Sequence, residues 1–327
     1  MRPIVLTGCS GRLGPLVAAR LLAEPGTAVL GIDLVPPPAW LARHPRFRFV
    51  RADVLRADLR AALAGCAAVA HLAFVVLGRR AYGRRRRDRG WMRAVNVEGT
   101  ARVAEAARAA GAEALVLMSS AAVYGPPRGA GPAPLPETVP CAPLPGFAYA
   151  EDKAAAERAA RAAAGLRLAV LRPHVILGPR AQPLFRALLA LPLRPAEPDP
   201  PPRIQCVDAT DVAEAVALAL RRGTGAFNLA AGPPLSLGEM VRHLHPRAVP
   251  VPRAAWRATV RALWPLVGTA GRPVWLDALE RPLVLDTGRA TRALGWRPRH
   301  DVYDCLRRTR RPPPGPWFTD LQPVARP

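Results

Sequence analysis

Tyr149 and Lys153 stand four apart in an Ala-rich stretch that predicts a helix, so their side chains share one face. A phenol beside an ammonium suits proton transfer at a secondary alcohol or ketone, because the cation favours the phenolate and lowers the phenol pKa from ~10. Lys153 is also the only lysine among the 47 basic residues. Ser120 follows the apolar run Leu115–Ser119, at the predicted C-terminal end of a parallel strand, where open α/β sheets bind ligands. There its hydroxyl can hold the oxygen that Tyr149 protonates. The alternative is a surface tyrosine beside a solvated lysine, and Arg86, Arg128 and Arg307 also follow the other tyrosines by four.

A second constellation lies at the start of the chain. Thr7-Gly8-Cys9-Ser10-Gly11-Arg12-Leu13-Gly14 leaves a predicted strand and opens a predicted helix. Glycines at 8, 11 and 14 permit a tight turn, approach of a pyrophosphate to backbone N–H groups, and close helix–strand packing. Asp33 ends the second predicted strand about 20 residues further on, where an acid accepts both hydroxyls of an adenosine ribose. Its charge opposes a 2′-phosphate, and neither Leu34 nor Val35 supplies a cation. These residues predict NAD rather than NADP, with Arg12 the one basic residue of the turn that would favour an extra phosphate.

In their order along the chain, these residues resemble the extended short-chain dehydrogenases/reductases, also called the NAD-dependent epimerase/dehydratase family. The glycine turn looks like that family's T-G-x-x-G-x-x-G, Asp53-Val54 like its adenine-contacting pair, and His71-Leu72-Ala73 like its H-x-A segment beside the cofactor. Asn96-Val97-Glu98-Gly99-Thr100 is similar to its N-x-x-G-T helix motif, Ser119-Ser120 to its serine-bearing strand end, and Tyr149 to Lys153 to its Y-x-x-x-K. Arg172-Pro173, Asp211-Val212-Ala213, Phe227-Asn228-Leu229 and Leu294-Gly295-Trp296 stand where later landmarks fall. The resemblance implies that Ser120, Tyr149 and Lys153 are catalytic. It also implies cofactor contacts from Gly8, Ser10, Gly11, Arg12, Leu13, Gly14, Asp33, Asp53, Val54, Leu72, Ala73, Asn96, Ser119 and Pro173, together with Tyr149 and Lys153.

The family's 4,6-dehydratases carry an Asp-Glu pair after the serine, and here Ala121-Ala122 stands instead, which disfavours dehydration. Two redox outcomes remain: a nucleotide-sugar epimerase that keeps its NAD, favoured by the resemblance, or a dehydrogenase/reductase of a non-sugar ketone or alcohol that exchanges it. Arg203, Arg272 and Arg281 are candidates for gripping a substrate diphosphate, and the Arg84–Arg87 run, read first as a solvated loop, is an alternative place to meet one. A homodimer through helices over 91–110 and 149–164 is likewise implied. A third reading, a non-catalytic NAD sensor or nucleic-acid binder, rests on the formal charge of +23. The intact Ser120, Tyr149 and Lys153 set argues against it, and an arginine- and proline-rich composition reads as genomic bias.

The elements that must position these groups alternate. Strands are predicted over 4–7, 28–33, 48–51, 68–72, 115–119 and 168–172, with helices over 13–23, 58–64, 91–110 and 149–164 between them. Alternation implies right-handed crossovers and a parallel sheet covered on both faces, a doubly wound α/β Rossmann fold. The Rossmann domain is read as residues 1–172, with strands near 203–207 and 226–230 returning to it. Residues 173–202 and 232–311 form a smaller substrate-binding region, and 312–327 a Pro-rich tail.

Other features have bland readings. Five scattered cysteines without a C-x-x-C pair fit no disulfide framework or metal site, and suggest the reducing cytoplasm. Arg2-Pro3 leads directly into a strand, without the apolar core of a signal peptide. The stretch 61–78 has the minimum length of a membrane span, but its Ala-rich half is weakly apolar and no membrane partner is expected. His71 is expected to pack near the cofactor, Asp211 to cap a helix, and the Arg84–Arg87 run to be a solvated loop. His243 and His245 lack the spacing of a helical metal pair.

Overall fold

The computed structural model describes residues 2–76, 88–126, 134–163, 165–263 and 274–311. The Arg84–Arg87 run, Arg272, the tail 312–327 and residues 127–133 of the proline-rich stretch lie outside the described residues.

Twelve strands are formed among the described residues: β1 Ile4–Thr7, β2 Val29–Asp33, β3 Phe47–Arg51, β4 Ala68–His71, β5 Ala114–Met118, β6 Arg167–Pro173, β7 Val175–Leu177, β8 Leu193–Pro195, β9 Ile204–Asp208, β10 Gly225–Leu229, β11 Ala231–Leu235 and β12 Val249–Val251. Seven of them make one parallel sheet in the order β10-β6-β5-β4-β1-β2-β3. Parallel strands covered on both faces need no polar alternation, and β5 is buried along its whole length. The chain runs from β1 to β2 on one side and returns to β4 on the other. The switch point therefore lies between β1 and β4, above whose C-terminal ends such sheets bind ligands.

Helices α1 (Gly14–Leu22), α2 (Ala39–Ala42), α3 (Leu59–Leu63), α4 (Arg89–Arg93), α5 (Gly99–Ala109) and α6 (Ala148–Arg161) belong to this half. With α7 (Pro183–Ala190) the chain enters the second region, and α8 (Ala209–Arg222) returns to the sheet. On one face, Val17 and Leu21 of α1 and Val212 and Val216 of α8 pack with Leu6, Val116 and Leu171. On the other, Leu63, Val103 and Ala160 from α3, α5 and α6 pack with Val5, Val69, Leu115 and Val170. The second region adds α9 (Leu237–Leu244), α10 (Arg253–Leu263), α11 (Val274–Leu279) and α12 (Val302–Arg310) around Leu184, Leu188, Met240, Trp256, Leu276 and Leu306.

Three expectations are corrected. The strand expected near 203–207 does not return to the main sheet: β9 lies parallel to β7 and antiparallel to β11 in a separate three-stranded sheet. Its five residues are all buried, so no polar face marks which sheet receives it. The strand near 226–230 does join the main sheet, as β10 beside β6. The helix expected over 91–110 is interrupted by a π-turn at Ala94–Glu98, between α4 and α5. Asp211 sits in the first turn of α8, and the cap is Asp208, which accepts from the Thr210 N–H at 2.8 Å. Asp211 instead accepts from the His300 N–H at 3.1 Å. The stretch 61–76 divides between α3 and β4, and among the described residues no helix is long and apolar enough to cross a membrane.

Candidate active site

The glycine turn sits at the switch point. Gly8 has φ +72°, and a Cβ there would lie 2.7 Å from the Ala73 nitrogen at the end of β4. A Cβ on Gly14 would lie 2.3 Å from the Gly8 carbonyl oxygen. Any side chain at either position closes the turn onto itself or onto Leu72 and Ala73. Leu13, at the N-cap of α1, provides no side-chain cap, which leaves that helix terminus open to an anion.

Asp33 braces the turn. Its Oδ2 accepts from the Ser10 N–H at 3.0 Å, and its Oδ1 from the Leu34 and Val35 N–H groups at 2.7 and 3.3 Å. Burial raises the Asp33 carboxyl pKa against these three donors. The Ser10 hydroxyl donates to the Val35 carbonyl at 2.5 Å, so it ties the turn to β2. Asp53 accepts from the Leu55 N–H at 2.9 Å, and Val54 is buried against Gly99. The glycine cradle, the open helix end and the carboxylate at the tip of β2 together fit a dinucleotide. Arg12 does not turn toward Asp33: its Nη1 reaches the Ala181 carbonyl at 3.3 Å, in the second region.

Ser120 caps a short 3-10 turn after β5, accepting from the Ala122 N–H at 3.2 Å, and its side chain acts to lower the Tyr149 pKa. Tyr149 is half-buried in α6, and its ring centroid lies 5.5 Å from Phe74, 5.7 Å from Phe147 and 5.0 Å from Trp275. Burial raises the Tyr149 pKa, and Ser120 opposes it. Lys153 shares the helix with Tyr149, but its Nζ donates to the Met118 carbonyl at 2.6 Å and sits 3.6 Å from the Phe74 ring centre. The Tyr149 pKa is therefore raised, where a phenol lowered by the ammonium was expected, with burial as the dominant cause. Burial brings Lys153 down from 10.5 to about 7, against the opposing charges of Glu157 and Asp152.

Two buried networks fix this helix. In the first, Asn96 on the π-turn accepts from the Val75 N–H at 2.7 Å and donates to the Val75 carbonyl at 3.0 Å and to Asp152 at 3.1 Å. Arg89 clamps Asp152 bidentately at 2.8 and 2.7 Å. Asn96 thus holds the chain after β4 beside α6. In the second, Glu157 receives Arg172 at 3.0 and 2.7 Å and the Ser119 hydroxyl at 2.6 Å. Ser119 therefore turns its hydroxyl into the core. Pro173 ends β6, directly after that arginine. His71 is buried between Thr7 at 2.6 Å and Thr100 at 3.0 Å, and burial, then Lys153, lowers its pKa to about 3.

Sequence reasoning did not single out Glu157, Phe74 or Trp275. Glu157 lies four residues after Lys153 and was legible by helical spacing. The aromatic neighbours come from three separate elements, and no local pattern joins them. Of the residues considered for a substrate diphosphate, Arg203 pairs with Glu239 at 3.2 Å on the surface.

Residues 4–230 match the model of the NAD dependent epimerase/dehydratase family. The UDP-glucose 4-epimerase of Mycolicibacterium smegmatis is 35% identical over 195 residues, which cover 56% of this chain and 58% of that enzyme. An uncharacterized protein of Sinorhizobium fredii is 28% identical across 92% of this chain and 76% of its own. Among solved structures, the UDP-glucuronic acid 4-epimerase of Bacillus cereus in complex with NAD superposes with a TM-score of 0.71 at 20% identity, covering 94% of this chain and 96% of that one. The switch-point turn and its braced carboxylate therefore occur in a chain whose sequence matches an NAD-dependent family across the whole sheet, and the protein belongs to the NAD dependent epimerase/dehydratase family, enzymes of the extended short-chain type.

Proposed function

We propose that the chain epimerises a nucleotide sugar at a carbinol carbon, with Tyr149 as the proton-transfer group. The observation that carries this reading is the Ser120–Tyr149 hydroxyl pair, set at the C-terminal edge of the sheet that also bears the glycine turn. NAD, when bound, would supply a reversible hydride acceptor at the carbinol carbon, with inversion arising from return of the hydride to the opposite face of the ketone. Tyr149 removes the proton from the substrate hydroxyl and returns it to the same oxygen, which Ser120 orients. Lys153 contributes a positive potential below its pKa of about 7, and Asn96 and Glu157 hold the helix that carries both groups. The likeness to UDP-glucose 4-epimerase supports a nucleotide sugar as substrate.

The rings of Phe74, Phe147 and Trp275 around Tyr149 favour one second reading, reduction of a non-sugar ketone. Identifying the nucleotide released on denaturation separates the two. Stoichiometric NAD, with interconversion of UDP- or dTDP-sugars, is expected for the epimerase, whereas an empty protein that binds NAD reversibly and turns over ketones would replace it. Tyr149→Phe is expected to keep cofactor binding and to lose turnover by at least about a hundredfold. Unchanged turnover would remove Tyr149 from the mechanism.

A cytoplasmic homodimer completes the proposal. The five free cysteines support a reducing compartment. Most alanines of α6 are buried within the subunit, Ala154 and Ala156 at 1% exposure. A contact through α5 and α6 would therefore use exposed Arg102, Arg108, Arg158 and Arg161. Light scattering should give twice the chain mass of 35.0 kDa.

A further inference from the structure

We infer that His71 is a positioning residue that fastens the glycine turn to the π-turn holding α6. As a neutral imidazole protonated at Nε2, it completes a one-way chain of hydrogen bonds from Thr7 through His71 and Thr100 to the Asn96 carbonyl. This role belongs to the frame of the site and is independent of the substrate.

The direction of the chain follows from the number of protons available. The Thr100 hydroxyl donates to the Asn96 carbonyl at 2.7 Å, the bond a threonine makes to the fourth residue before it in a helix. A hydroxyl has one proton, so toward His71 Nε2, 3.0 Å away, Thr100 can only accept, and Nε2 carries the ring hydrogen. A neutral ring then has a bare Nδ1, which accepts from the Thr7 hydroxyl at 2.6 Å. Thr7 is fully buried, and among the described residues Nδ1 is the only acceptor for its proton. The opposite tautomer, or a ring protonated at both nitrogens, would strand that proton in the core as an unmade hydrogen bond. One arrangement alone satisfies Thr7, His71 and Thr100 together.

The two ends of the chain give it a use. Thr7 immediately precedes Gly8, and its oxygen also accepts from the Ala73 N–H at 3.4 Å, the nitrogen that leaves Gly8 no room for a side chain. With its proton on Nδ1, Thr7 keeps a lone pair for Ala73. At the other end, the Asn96 side chain holds both backbone polar groups of Val75 and reaches Asp152, three residues beyond Tyr149 on α6. Through His71, the floor of the glycine turn and the support of the tyrosine helix become one rigid unit. A fixed relation between a nucleotide on the turn and the acid–base group on α6 is what transfer chemistry requires.

Imidazole nitrogen NMR on the histidine-labelled full chain at pH 7 reads the tautomer. His71→Gln, or Thr7→Val should that variant not fold, identifies the ring among the six histidines. Nε2 is expected to carry the proton and Nδ1 to be bare, and a proton on Nδ1 would overturn the chain. Coupling is read by ADP calorimetry, with melting temperatures in parallel to register folding. Thr100 lies on α5, outside the glycine turn. Thr100→Val is expected to weaken ADP binding about fivefold, Thr100→Ser to stay within about twofold of wild type, and Thr100→Val to add nothing in a His71→Leu background. Unchanged ADP affinity in Thr100→Val, or losses that add in the double variant, would overturn the positioning role and leave His71 as core filling. If His71→Leu does not fold, the contrast between Thr100→Val and Thr100→Ser decides. Both readouts work without turnover, so loss of the epimerase reading leaves them intact.

Discussion

The ionisable side chains nearest Tyr149 owe their behaviour to burial. Lys153 has a folded pKa of about 7 against 10.5 when free, so the unfolded chain binds more protons between those values. Stability is therefore expected to rise with pH from about 7 toward 10.5. Lys153→Met should flatten that rise, as read by melting temperature between pH 7 and 9. An identical pH dependence in both proteins would show that the ammonium is solvated. His71 and His174 act in the same direction at lower pH, because burial lowers them to about 3 and about 4 from 6.5. Both stay neutral in the fold while the unfolded chain charges them, so stability falls as pH drops below about 6.5. Each is expected to cost about 2 kcal/mol at pH 5. His174→Gln should recover one such increment in urea unfolding at pH 5 relative to pH 7.

Elements, not single residues, decide where those groups meet. The glycine turn, Asp33 and the Tyr149/Lys153 pair were legible in the sequence because each lies within one strand–turn–helix unit and obeys its spacing. The π-turn was not legible, because Asn96 gains its extra turn from partners at Val75 and Asp152, far along the chain. Likewise, β9 carries no polar face to reveal its sheet, and the second region's strands are three residues long or pair out of sequence order. Asn96→Leu is expected to lose about 1–3 kcal/mol by leaving the Val75 N–H and Asp152 short of partners. Circular dichroism should show the fold retained, with catalysis weakened through a displaced α6. Gly14→Ala should be worse, since its Cβ would lie 2.3 Å from a backbone oxygen. Loss of nucleotide binding without loss of folding is the expected reading.

Across the whole molecule, much of the charge of +23 is bound to the fold's own carbonyls. Arg46 donates to Leu22, Glu24 and Thr27 beyond the end of α1, and Arg167 to Ala219, Leu220 and Gly223 at the end of α8. Such donors satisfy the orphan carbonyls of helix ends. Arg167→Met is expected to destabilise the protein by about 1–3 kcal/mol while leaving nucleotide affinity unchanged. Charge engaged in this way is a poor electrostatic footprint, so DNA binding at physiological salt should be undetectable by anisotropy. A steep salt slope would instead revive the nucleic-acid reading. The same arginine-for-lysine composition has a chemical corollary. With Lys153 the sole lysine, every reaction of a side-chain amine on this chain, whether acylation, Schiff-base trapping or carbamylation, takes place one helical turn from Tyr149. One peptide mass therefore measures how far the site is shielded, turning an accident of composition into an occupancy gauge.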